Sequence, residues 1–325
     1  MRPWGIVWIV SCCVVLAFSA VSFAQPAPEI PPGPAAPATQ PAFPLWDGKE
    51  TIAAYARRAG IKKIEVVLDL GKGIPLKATL IPAGKFKMGA SQQEVDEAKN
   101  SKLKGDPNAN ALPQHEVTIT RPFYMGIVTV TQEQYQQVTG KNPSTTKNPK
   151  NPVETIPWDD AVDFAKKVSE KSGKTVRLAT EAEWEYACRA GSTTPFYTGE
   201  TISVDLANYD GSAAPYGKGV KGVYRNKILP AGSFRPNAWG LYDMAGNVAQ
   251  WVADRYSKDY YAASPATDPT GPETGTMRAQ RGGGFGYSPI LCRSASRSGE
   301  EPSRPPAWLA WTGFRVVVEL EPQKK

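Results

Sequence analysis

The side chains best suited to chemistry gather between Arg281 and Arg297, in the run RGGGFGYSPILCRSASR. Its three consecutive glycines allow positive φ or close backbone approach. Arg281, Arg293 and Arg297 supply fixed, planar charges that could clamp a carboxylate or carbonyl. Cys292 lies between them as a candidate thiolate. Its bland alternatives are a buried thiol or a bridge to Cys188, and either would remove the accessible thiolate that nucleophilic or metal chemistry needs.

A second constellation is built from oxygens. In GLYDMAGNVAQW, Asp243, the carbonyls of Gly246 and Val248, and the Gln250 side chain form a mixed donor set of the kind Ca²⁺ accepts. Asn208 and Asp210 in ANYDGS offer a further cation site. The competing reading is turns in which Asp and Asn bond to the nearby backbone. His115 is the sole histidine and reads as a strand-edge hydrogen-bonding group. One imidazole excludes multi-histidine iron and zinc centres. The chain contains no G-x-S-x-G elbow, and a serine triad would have to use His115.

The elements that must position these groups are short. Gly 29, Pro 30 and 10% aromatics in 325 residues indicate a turn-rich, irregular fold and not a helical bundle. The net charge of +7 is scattered, which argues for a solvated surface and against a nucleic-acid partner. Residues 1–24 read as a cleaved signal peptide: Arg2, the apolar run Ile6–Val21, then Ser22-Phe23-Ala24. Export follows, to the periplasm, envelope or exterior. Residues 25–45 form a proline- and alanine-rich linker able to hold the domain near an envelope. Residues 46–76 are an extension packing on the domain at 77–320.

In the extension, Thr51–Arg58 reads as a helix and IKKIEVVLDLG as a strand. Two further strands flank the Pro82-Ala83-Gly84 turn. Ser91–Pro113 is expected to be loop, and His115 opens another strand. Thr131-x-x-Gln134 and Thr180-x-x-Glu183 are capping boxes that open helices. Between them Trp158–Ser172 places Ala161, Val162, Ala165 and Val168 on one helix face. Cys188 falls in the last turn before Gly191. The next 90 or so residues are expected to be irregular and to need tying down by something other than secondary structure.

In order along the chain, PAGKFKMG, VTVTQEQY, NPVETIPWDDAVDFA, RLATEAEWEYACRAG, ANYDG, GLYDMAGNV, DPTGP, RGG, CRSASR and GFR resemble the formylglycine-generating enzyme family, the sulfatase-modifying factors. The resemblance implies a single domain of C-type-lectin-like α+β fold with bound calcium. It implies oxidation of a cysteine in a Cys-x-Pro-x-Arg segment of a sulfatase, using O₂ and Cu(I) held by two cysteines. Here the second cysteine position is Cys292 and the first is Tyr287, a hard ligand unsuited to Cu(I). Family RGGSW reads RGGGF, placing Gly284 at the serine, and GNVWEW reads GNVAQW, placing Gln250 at the glutamate. The preferred expectation is a protein- or peptide-binding member with a degenerate oxidase site. A copper-dependent oxidase and a lectin-like carbohydrate binder are the alternatives.

Overall fold

The computed structural model describes residues 43–99, 109–303 and 311–321. The signal peptide and nearly all of the linker lie outside the described residues. Strands β1 (Glu65–Asp69), β2 (Pro75–Ile81), β5 (Phe123–Gly126), β11 (Val316–Glu319) and β6 (Val176–Leu178) form an antiparallel sheet in that order. A second sheet runs β10 (Thr312–Phe314), β7 (Ala249–Arg255), β8 (Arg278–Arg281) and β9 (Arg297–Glu300), with β10 parallel to β7. Strands β3 (Gly84–Met88) and β4 (His115–Ile119) make a separate hairpin. The segment read as an extension therefore supplies β1 to the main sheet.

Helices α3 (Gln132–Thr139) and α5 (Glu181–Arg189) begin at the two expected capping boxes, each closed in both directions. Helix α4 (Trp158–Ser172) buries Trp158, Ala161, Phe164, Ala165 and Val168, with Val162 at the margin. It carries Phe164 against Tyr135 and Phe314, with ring centroids 5.6 and 5.3 Å away. Trp158 and Trp251 tie this layer to the second sheet by donating to Val252 O and Ile156 O. At the amino-terminal side α1 (Ile52–Arg58) is capped by Thr51. Trp46 stands edge-on to Trp239 at 5.2 Å.

Two expectations need correction. The Ser91–Pro113 loop contains α2 (Gln92–Lys99). Ser91 Oγ accepts from Glu94 N while Glu94 Oε2 accepts from Ser91 N, a reciprocal cap written in the sequence as Ser-x-x-Glu. The irregular stretch is interrupted by β7, which is covered on both faces and so lacks alternation. Where the chain is irregular, asparagines tie it down. Asn208 Nδ2 donates to Asn247 Oδ1 (3.0 Å), and Asn247 N donates to Asn208 O (2.7 Å). Asn237 spans Ala187 O, Cys188 O, Trp239 N and Leu241 N.

Candidate functional site

Helix α5 is the backbone of the site because it aims two buried carboxylates, Glu181 and Glu185, at β8 and β9. Arg297 forks onto Glu181 with two 2.7 Å bonds. Arg281 pairs with Glu185 and donates to Ala295 O and Ser296 O at 3.0 and 2.7 Å. Arg189 takes the other oxygen of Glu185 at 2.9 Å. Arg293 donates to Ile290 O (3.0 Å) and reaches Glu94 of α2 at 3.5 Å. All three arginines singled out by sequence are thus buried and internally paired. Paired burial of this kind is costly to break from one side only. Asp254, also buried, accepts from Glu181 N at 2.8 Å. Burial and the neighbouring Glu181 raise its pKa well above the usual carboxylate range.

Beyond β8 the chain turns on Gly282 and Gly283, at φ 89° and 67°. A Cβ on Gly283 would lie 2.8 Å from Cys292 Sγ and 2.8 Å from Leu291 O. The turn therefore requires glycine there. Cys292 and Cys188 are both free and buried, so the bridge alternative is corrected. They belong to separate packing clusters. Cys188 Sγ contacts Ser294 Oγ at 3.5 Å and Met244 O at 3.7 Å. Burial pushes the Cys292 thiol up to about 12 and Cys188 to about 11. Neither thiol is ionised near neutral pH.

At the position of the other family cysteine, Tyr287 lays its ring across Gly284. A Cβ on that glycine would lie 3.1 Å from Cδ2 and 3.2 Å from Cε2 of Tyr287. The tyrosine backbone is held by Gly284 O at its N–H (3.0 Å) and by Asp210 N at its carbonyl (2.9 Å). Burial raises its phenol further above its ordinary value. Cu(I) bound to protein thiolates needs soft anions at hand. One deeply buried, protonated thiol beside a phenol does not fit that ion.

Gln250 Oε1 already accepts from Trp184 Nε1 (2.9 Å) and Arg315 Nε (2.7 Å), and its Nε2 donates to Asp243 O. Asp243 Oδ2 accepts from Gly232 N at 2.7 Å, and burial raises the pKa of this carboxyl. The guanidinium of Arg315 thus faces the oxygen on which a calcium ion would depend. Asp210 spends one oxygen on Ser212 N and Oγ. Asn208 Oδ1 is buried without a hydrogen-bond partner. Asp243 and Asp210 each accept from a backbone N–H, as in the turn reading. His115, as expected, sits at a strand start with Nδ1 3.0 Å from Pro113 O.

Sequence reasoning missed Glu185 and Glu94 as arginine partners and Trp311 as a neighbour of Tyr287. Glu183, on the same helix, faces Arg177 and closes its own capping box. The four-residue spacing of Glu181 and Glu185 on one helix face is the signal that could have found the pair.

Residues 75–320 match the family model described as the sulfatase-modifying factor enzyme 1-like domain. The formylglycine-generating enzyme of Thermomonospora curvata is 37% identical over 188 residues, which are 55% of this chain and 59% of that protein. The serine/threonine-protein kinase pkn1 of Chlamydia caviae is 34% identical over 164 residues, 50% of this chain and 23% of that one. The solved structure of PvdO from Pseudomonas aeruginosa superposes with a TM-score of 0.63 at 32% identity, over 80% of this chain and all of that one. The chain spans less than two thirds of the length of the curated relatives named here.

Proposed function

Starting from the fact that the chain belongs to the sulfatase-modifying factor family and has its C-type-lectin-like α+β fold, we propose that it is a peptide- or partner-binding member whose oxidase site is degenerate. One observation carries this reading. The Tyr287 ring occupies the space over Gly284, at the two positions where the family resemblance places a thiolate and a serine. The remaining thiol, Cys292, is buried and protonated. What persists around it is a rigid, ion-paired scaffold with a cavity of about 90 Å³ beside Tyr287. A preformed concavity on a rigid frame is a recognition feature even without chemistry. Export through the amino-terminal segment, with the proline-rich stretch as spacer, would place the domain where envelope or secreted partners are met.

The oxidase alternative is favoured by the relatives named formylglycine-generating enzyme. One assay separates the two. The chain is incubated with a Cys-x-Pro-x-Arg peptide, Cu(I) and O₂, and the peptide is read by mass spectrometry, with Cys292→Ala alongside. The expected result is no aldehyde in either sample. Aldehyde formed by the wild-type chain and lost in the variant would replace this reading with the oxidase.

A further inference from the structure

The cavity beside Tyr287 has an electrostatic sign. Its lining includes Tyr287, Leu291, Gln280, Ser298, Arg281 and Arg297. Two guanidinium groups, Arg281 and Arg297, line it, and no carboxylate does. Their partners Glu185 and Glu181 lie behind them on α5. Arg281 is only 1% exposed, yet its Nε has no hydrogen-bond partner and stands 3.8 Å from Glu181. An unsatisfied charged donor at a cavity wall is a place where an incoming anion gains more than it would in water.

Outside the cavity an aromatic ledge runs along the surface. Tyr287 meets Trp311 edge-on at 6.5 Å, Trp311 meets Phe285 at 4.7 Å, and Phe285 stacks with Tyr224 at 6.5 Å. Trp311 is 37% exposed and Tyr224 38%. Gly286 lies against both: a Cβ there would be 3.0 Å from Trp311 and 3.4 Å from Tyr224 Oη. Tyr224 belongs to the segment GKGVKGVYRNKI, 217–228, which contains Lys218, Lys221, Arg225 and Lys227 and no acid. Val220 and Val223 of the same segment are exposed. Glu300 is an opposing charge whose field reaches the Tyr287 hydroxyl.

We propose that this surface binds an acidic, extended peptide segment of a partner protein, with one Asp or Glu side chain entering the cavity beside Tyr287. Its apolar neighbours lie on Trp311 and Tyr224, which the buried Phe285 supports from beneath, and further acids face Lys221 and Lys227. The inference rests on the binding reading above and gives the partner its chemistry. Rigid aromatic rings supply contact area at low entropic cost, and an apolar extended segment is the ligand such grooves take. The cavity has room for a carboxylate side-chain tip. An arginine-bearing peptide would bring like charge to the arginines of the cavity wall and the lysines of 217–228, a costly mismatch.

The test is selection of a random decapeptide library on the immobilised full chain, followed by fluorescence anisotropy of the enriched peptide. Enrichment of Asp or Glu flanked by apolar residues is expected, with the Glu→Gln or Asp→Asn peptide at least about tenfold weaker and binding falling as salt rises. On the protein, Trp311→Ala and Ser298→Glu should each weaken binding by about tenfold, and Glu300→Gln should strengthen it. Ser298 and Trp311 are exposed, so circular dichroism should show unchanged folding. Enrichment of Arg- or Cys-containing peptides, or equal binding of the amide peptide, would overturn the acidic-partner inference while leaving the binding reading in place. Equal competition by heparin would overturn it as mere charge attraction. No enriched peptide at all would remove both.

Discussion

Gly284 and Tyr287 act as a pair. A serine at 284 would press its Cβ to 3.1 Å from the tyrosine ring, closer than ordinary packing allows. The backbone there has no positive φ, so the conflict is between side chains alone. Gly284→Ser is therefore expected to lower stability by roughly 1–3 kcal/mol, the usual range for overpacking. Tyr287→Cys removes the ring, and in that background Gly284→Ser should cost much less. Urea denaturation of the two single variants and the double variant measures the coupling. Additive losses would mean that the ring simply moves aside and that the two positions are independent. That result would also weaken the case that the oxidase site was replaced as a unit.

At the scale of elements, legibility followed local rules. Helices α3 and α5 could be placed from sequence because each opens with a capping box and carries an apolar face. Helix α2 obeys the same rule at Ser91 and Glu94 but lies in a polar stretch, so the cap went unread. Strand β7 was invisible because burial on both faces erased its alternation. The arginines were legible as charges, but their partners come from elements 96 to 199 positions away in sequence, a pairing no local pattern encodes. Helix α5 should accordingly be the element least tolerant of change. Thr180→Ala removes a cap and is expected to cost about 1 kcal/mol. Glu185→Ala strands Arg281 and Arg189 in the interior and should cost roughly 3–5 kcal/mol. Thermal melts that rank these two in the opposite order would show that the ion-pair cluster is solvated and not a buried support.

For the whole molecule the two free cysteines set a pH limit. Each thiol has an unfolded pKa of about 8.5 and a folded value pushed up to about 11 for Cys188 and about 12 for Cys292. Burial favours the neutral form, so each thiol's contribution to stability is fully present below about pH 8.5. Above that value the unfolded chain releases protons that the native state keeps, and stability falls as pH rises. Tyrosines begin to titrate near 10 in the unfolded chain, so the interpretable window is about pH 8.5–10. Within it each thiol should remove on the order of 1 kcal/mol of stability per pH unit. Glu183 and Glu185, held below the usual range despite burial by their arginine partners, act at the other end. Their stabilisation is lost as pH falls below about 4. Urea midpoints measured across the alkaline window should decline for the wild-type chain and decline less steeply for Cys188→Ala and Cys292→Ala. The slope is the decisive quantity, because a cavity left by either substitution shifts the whole curve without tilting it. Identical slopes in all three proteins would mean that the thiols ionise in the native state, and with that the argument that Cys292 is chemically silent would fail.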